Sequence, residues 1–158
     1  EQRVVVFAYF RTECANLKAA IEKAEPKGTR VEIITGATSA AERLEIRQRF
    51  KDVSGNAERT VLVAQARTMS VSVNELVTAQ NAVFASMSER RDDWVQARGR
   101  LDRNGQEGQH VTFWNVYAPG TVDEIMLDRH KDRGDLEAAL LDHIKQTRKR
   151  KPTRKKAA

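Results

Sequence analysis

The 158-residue sequence predicts an α/β domain with a mainly parallel sheet and helices on both faces. Short apolar runs rich in β-branched residues recur along the chain, as in strands buried on both sides. Segments with helical apolar spacing separate those runs, which is the pattern of crossover connections between parallel strands. The length suits a single domain of ordinary size with a real core.

The elements follow in order. Arg3-Val4-Val5-Val6-Phe7-Ala8-Tyr9-Phe10 reads as a buried strand. Thr12 is placed to cap the next helix, which carries Leu17, Ala20, Ile21 and Ala24 at core spacing and stops at Pro26-Lys27-Gly28. Val31 to Ile34 is the second strand, and Thr35-Gly36-Ala37-Thr38 a turn. Ser39 caps a helix that runs to Phe50, with Leu44, Ile46 and Phe50 as its apolar residues. Ser54-Gly55-Asn56 is a loop, Thr60 to Ala64 a third strand and Ala82 to Ala85 a fourth. A helix follows, and then His110 to Tyr117, apolar on both faces and therefore expected to be an interior strand. Ala118-Pro119-Gly120 turns, Thr121 caps, and an amphipathic helical pattern runs towards Lys145, interrupted at Gly134.

Composition limits the function. Hydrophobic residues make up 40% and charged residues 32%, as in soluble globular chains. No apolar run approaches membrane-spanning length, and nothing reads as a signal peptide, so no membrane partner is expected. The single cysteine, Cys14, forms no internal disulfide, which points to an intracellular location, cytoplasm or nucleoid, or nucleus in a eukaryote. His110, His130 and His143 have no metal-ligand spacing, so no metal site is expected. The formal net charge is +6, yet residues 148–156 hold seven basic and no acidic side chains, which leaves −1 for the remainder. Residues 148–158 are therefore expected to be a flexible basic tail, separate from a domain spanning 1–147. Such a tail can be merely solvated or can hold a phosphate backbone through Arg148, Lys149, Arg150 and Lys151.

The stretch Gln96-Ala97-Arg98-Gly99-Arg100-Leu101-Asp102-Arg103-Asn104-Gly105-Gln106 carries the candidate chemistry. Read as a helix, it puts Gln96, Arg100 and Arg103 on one stripe. Trp94, Ala97 and Leu101 lie on another, about a third of a turn away, where they can pack into a core. Two guanidiniums one turn apart repel unless an anion sits between them, and their planar forks match phosphate oxygens. By spacing alone the stripe also fits a solvated helix face.

The pattern Q-x-x-G-R-x-x-R followed by N-G-Q resembles the sixth motif of superfamily 2 helicases, in the form used by the Swi/Snf-type branch. The resemblance spans about residues 3 to 145. Val4 to Phe10 is similar to the fourth motif, the first strand of the second RecA-like domain. Thr35-Gly36-x-Thr38 with Glu42-Arg43 and Phe50 resembles that branch's D-G-S-T-S-x-x-E-R segment, with Thr35 where Asp is usual. Thr68 to Leu76 occupies the place of the fifth motif, but Ser70 and Ser72 stand where glycines are usual. Thr121-Val122-Asp123-Glu124-Ile125 resembles the G-T-x-E-E-x-I of the Swi/Snf-type branch and sets the chain apart from DEAD-box RNA helicases.

The resemblance implies a RecA-like three-layer fold and the second motor lobe of an ATP-dependent DNA translocase or helicase. Arg103 would then be the arginine finger, Arg100 its partner and Gln96 a polar orienter. Thr35, Gly36, Thr38, Thr68 and Asn74 would meet the DNA backbone. No G-x-x-x-x-G-K-[ST] loop and no D-E-x-H segment is present. ATP and Mg²⁺ would be held by an N-terminal RecA-like lobe preceding Glu1 in a longer parent chain, and the isolated lobe would not turn over ATP. Two alternatives stand beside this one: a degenerate lobe that binds nucleic acid or a partner without motor action, and an RNA helicase lobe.

Overall fold

The computed structural model describes residues 2–24, 28–52, 59–70, 75–102, 110–132 and 143–144. Two compact units, Glu1–Tyr117 and Ala118–Ala158, are taken separately below. The boundary expected between residues 147 and 148 lies outside the described residues.

In the first unit the chain runs β1 (Gln2–Ala8), α1 (Arg11–Ala24), β2 (Thr29–Ile34), α2 (Ala40–Lys51) and β3 (Arg59–Gln65). Two short 3-10 turns follow, Ala66–Ser70 and Glu75–Thr78, then β4 (Asn81–Phe84), α3 (Arg91–Leu101) and β5 (Thr112–Asn115). The five strands form one sheet in the order β2-β3-β1-β4-β5. Every pairing is parallel.

That order fixes the layers. The crossover from β1 to β2 runs one way along the sheet, and those from β2 to β3 and from β4 to β5 run the other way. Right-handed crossovers therefore put α1 on one face and α2 and α3 on the opposite face. The packing agrees. Cys14, Leu17 and Ile21 of α1 cover Val6, Ala8, Val31, Val61 and Val63. The alternate residues Val5, Phe7, Leu62, Ala64 and Ala82 are fully buried on the other side. Phe84 there stacks on Phe7 at 5.0 Å and meets Trp94 of α3 at 6.1 Å. This is the α/β sandwich that the sequence predicts, and β1 and β3, at its centre, are buried on both faces, as their β-branched runs imply.

Arg3 fastens β1 to the end of α2. Its Nε donates to the Phe50 carbonyl at 2.6 Å and its Nη2 to the Asp52 carbonyl at 2.8 Å. A cation there meets the negative end of the helix dipole as well as its last acceptors.

Four expectations need correction. β1 stops at Ala8, and Phe10 is 64% exposed. Thr12 lies inside α1 and does not cap it. The helix starts at Arg11, two residues earlier than a Thr12 cap implies, and Glu13 reaches back to the Phe10 N–H at 3.4 Å, the carboxylate half of a capping box. Leu44 is 45% exposed, and the buried apolar residues of α2 are Ile46 and Phe50. β5 is an edge strand among the described residues, with Trp114 58% exposed, because β4 is its one hydrogen-bonded neighbour there. Ser39 does cap α2, its Oγ accepting the Glu42 N–H at 3.2 Å.

In the second unit α4 (Val122–Asp132) begins as expected at Thr121. Thr121 Oγ1 donates to the Ala118 carbonyl at 2.7 Å and accepts the Asp123 N–H at 3.2 Å. Glu124 accepts the Gly120 N–H at 2.8 Å, and Gly120 takes φ +73°, open to glycine without strain. The G-T-x-x-E spacing is thus a helix-start device. Gly134 and the rest of the expected helix towards Lys145, apart from His143 and Ile144, lie outside the described residues.

Candidate nucleic-acid and phosphate interface

In parallel α/β sheets ligands gather beyond the carboxyl ends of the strands. The loop after β2 stands there. Its backbone donors are used internally. The Thr35 N–H goes to Thr38 Oγ1 at 3.0 Å, the Gly36 N–H to Gln65 Oε1 at 3.2 Å, and the Ala37 N–H to Thr35 Oγ1 at 3.3 Å. The Thr38 N–H bonds the Thr35 carbonyl at 3.1 Å. Arg43 of α2 clamps the loop from below, its Nη2 within 3.3 Å of the Thr35 carbonyl and 3.2 Å of the Thr38 carbonyl. The loop is therefore a preformed turn. What it can present outward is two hydroxyls, each of which accepts a bond in the turn and keeps its own proton to give.

Thr68 sits beside this loop. A Cβ on Gly36 would lie 3.8 Å from Thr68 Cγ2. The Thr68 hydroxyl donates to the Gln65 carbonyl at 2.7 Å, so in this arrangement it offers lone pairs and no proton. Asn74 lies outside the described residues, as do Arg148, Lys149, Arg150 and Lys151.

The centre of the sheet's carboxyl edge, between β1 and β4, is the point where the crossovers change direction. Such a switch point often seats a phosphate. Here it holds a carboxylate instead. Glu13 Oε2 accepts the Ser86 hydroxyl at 2.7 Å and the Tyr9 N–H at 3.3 Å. Ser86 Oγ also accepts the Tyr9 N–H at 2.9 Å. A negative group in that seat does not suit a triphosphate. Among the described residues no group of three or more His, Cys, Asp or Glu is placed to hold a metal ion, and no helix is long and apolar enough to cross a membrane.

The arginine-bearing helix is α3. Its start is secured by Ser88, which accepts the Arg90 N–H at 3.0 Å and donates to Asp93 at 3.1 Å. Trp94, Ala97 and Leu101 are buried, as their stripe requires. Gln96 is exposed and Arg100 half-buried on the other stripe. The helix closes at Asp102, whose N–H bonds the Arg98 carbonyl at 3.0 Å with non-helical backbone. Only Gln96 and Arg100 therefore share the described helical stripe, and Arg103 lies outside the described residues. α3 packs against the 3-10 turn that holds Thr68. One turn thus adjoins both the loop after β2 and the arginine helix.

Three residues that sequence reasoning did not single out shape this region. Arg98 lies between two rings, 4.6 Å from the Trp94 centroid and 4.3 Å from that of Phe113, and so pins α3 to β5. Gln65 and Glu13 tie the loops together. Their partners lie too far away in sequence for spacing to reveal them, except for Glu13, whose place at the third helical position was a readable capping signal.

The C-terminal part of the Fun30 ATPase domain, known from a crystal structure, superposes on this chain with a TM-score of 0.70 at 15% identity. The match covers 90% of this chain and 46% of that one, so the chain spans less than half of the structure it resembles. At that identity the likeness speaks for the fold, which is RecA-like. No curated protein sequence matches the chain. The helicase conserved C-terminal domain family matches residues 1–105, from β1 through the arginine-bearing helix. The chain belongs to the helicase conserved C-terminal domain family.

Proposed function

We propose that this helicase C-terminal lobe is the second motor lobe of an ATP-dependent DNA translocase of the Swi/Snf-type branch. The observation that carries the reading is α3, a helix whose inner stripe is buried and whose other stripe presents Gln96 and a half-buried Arg100. Arg100 and Arg103 are assigned to the phosphates of a nucleotide held by a separate N-terminal lobe, and Gln96 to orienting them. The carboxylate at this sheet's own switch point supports a nucleotide seat elsewhere. ATP with Mg²⁺ supplies the phosphoryl group and the divalent charge when bound there. This chain's part is to bring permanent guanidinium charge onto the oxygens as the lobes close, which stabilises charge that develops in transfer.

The Thr35–Thr38 loop supports the second half of the reading. Gly36 lets a backbone approach closely, and the Thr35 and Thr38 hydroxyls are suited to giving protons to phosphate oxygens. Asn74 is assigned to the same track, as is Thr68 once its hydroxyl turns from the Gln65 carbonyl to a phosphate oxygen, and the basic tail from Arg148 to Lys151 adds a sequence-independent, salt-sensitive hold. The serines at 70 and 72 favour one rival, a lobe that binds DNA but has lost motor action.

The test is ATP turnover by the full-length polypeptide with and without duplex DNA. Strong stimulation is expected, with Arg103→Ala lowering stimulated turnover by about 10³-fold or more. Near-normal turnover in Arg103→Ala would remove the finger assignment. Stronger stimulation by RNA would remove the DNA assignment. Duplex binding without any turnover would favour the degenerate lobe.

A further inference from the structure

Gln65, the last residue of β3, engages both ends of its side-chain amide and its own carbonyl with neighbouring segments. Its Oε1 accepts the Gly36 N–H at 3.2 Å, and its Nε2 donates to the Tyr9 carbonyl at 3.0 Å. Its own carbonyl accepts the Thr68 hydroxyl at 2.7 Å. One side chain therefore joins the loop after β2 to the end of β1, and its main chain opens the turn after β3. Two routes lead on from there to the arginine helix. The turn Ala66–Ser70 packs directly against α3. The Tyr9 N–H is held by Ser86 Oγ at 2.9 Å, and Ser86 lies on the segment that leads from β4 into α3.

The chemistry of the position is restrictive. It needs a donor and an acceptor on one planar group, aimed at a carbonyl on one side and an N–H on the other. A carboxamide provides both, whereas carboxylate, ammonium and thioether groups do not. Both ends of the Gln65 amide are engaged within the lobe, which fixes its plane between the two segments.

We infer that Gln65 is a positioning residue that couples the Thr35–Thr38 loop to the arginine helix. The inference rests on the motor reading above and adds to it a route by which DNA contact changes ATP turnover. A strand seated on the Thr35–Thr38 loop displaces Gly36, Gly36 acts on Gln65, and Gln65 acts on the turn and on Tyr9. Both hydrogen-bonded routes start from this one residue, beside the direct packing of Thr68 against Gly36.

The experiment uses the full-length protein and three readouts: duplex affinity by anisotropy of a labelled oligonucleotide, DNA-free turnover, and DNA-stimulated turnover. Gln65→Met keeps the length and apolar body of the side chain and removes both amide bonds. DNA affinity and DNA-free turnover should stay within about 3-fold while stimulation falls about 10-fold, within the usual span of coupling between two sites. Ser86→Ala, a small change that interrupts only the Tyr9 route, should give a smaller loss of the same kind. The double variant should be no worse than Gln65→Met alone, because both act on one route. Should Gln65→Met fail to fold, the isosteric Gln65→Glu keeps the acceptor for Gly36, loses the donor to Tyr9, and should show the same split.

Affinity and stimulation falling together would reduce Gln65 to a prop for the loop. An equal fall in DNA-free turnover would make it a general structural residue. Either result overturns the inference. A stimulated wild type with unaltered variants overturns it alone, whereas an unstimulated wild type removes the motor reading and the coupling with it.

Discussion

Arginine fastens two regions of this lobe by opposite means. On the β2–α2 side, Arg3 and Arg43 donate to main-chain carbonyls, at 2.6 and 2.8 Å for Arg3 and within 3.3 Å for Arg43. On the β4–α3–β5 side, Arg98 makes its contacts face-on, between the rings of Trp94 and Phe113. Directional bonds fix the loop after β2 in one conformation. A guanidinium between rings holds a helix to a strand and tolerates small sliding, since stacking depends on direction less steeply than a hydrogen bond does. The region proposed to meet DNA is thus the one built for fixed geometry. The region that carries Arg100 is held by a softer contact, which suits a helix whose position has to respond to events elsewhere.

The largest effect should come from breaking the directional side. Arg3 is buried and its two carbonyl bonds are charge-assisted. Arg3→Met removes both and leaves the Phe50 carbonyl buried without its donor. The loss should be about 3 kcal/mol, using about 1.5 kcal/mol or more for each charge-assisted bond. Thermal and urea unfolding would measure it. A loss under about 0.5 kcal/mol, the level of a neutral surface change, would deny that these bonds organise the α2 end.

A smaller effect belongs to the stacked side. Arg98→Met keeps an unbranched chain between the rings and removes the charge. It should cost about 1 kcal/mol, the middle of the range for cation–π contacts. Because the cation is shielded by two rings, this cost should change little between low and high salt, whereas exposed pairs such as Arg49 with Glu32 at 2.9 Å weaken with salt. A cost that vanished at high salt would mean that Arg98 acts through long-range charge and not through the rings.

The same contrast explains what the sequence could disclose. Local devices were legible. Ser39 lies three residues from the N–H it accepts, and the Trp94, Ala97 and Leu101 stripe follows from helical pitch alone. The strands were legible because β-branched runs with no polar side have few other homes. Strand order is not legible: a segment apolar on both faces predicts an interior strand, whereas β5 lies at the sheet edge among the described residues. Hydroxyls usually take the cap role, which points to Thr12, while Glu13 sets the helix start from inside. Apolar spacing on α2 does not say how wide the buried stripe is, and Leu44 falls outside it. Arg3, Gln65 and Arg98 carry partners 47, 56 and 15 residues away, the last read from Arg98 to Phe113. No window of local pattern connects such pairs.

Cys14 offers the finest way to sharpen the contrast. It is the fully buried residue of α1, on the face opposite Arg98, and burial aided by the Glu13 charge pushes its thiol up to about 11 from an ordinary 9.0. A thiol whose folded pKa is raised contributes its stability fully below pH 9 and loses it as pH rises through about 11. At pH 8 the folded chain should therefore resist alkylation, and the labelling rate should report opening of the α1 face. Arg3→Met should accelerate labelling by more than its global loss of stability accounts for, because it frees β1, the strand that α1 covers. Arg98→Met should accelerate it by no more than its global loss accounts for, since its contacts lie on the other side of the sheet. Equal acceleration, once each rate is normalised by that variant's unfolding free energy, would mean that the lobe opens as one cooperative unit. The two fastenings would then differ in chemistry but not in what they hold.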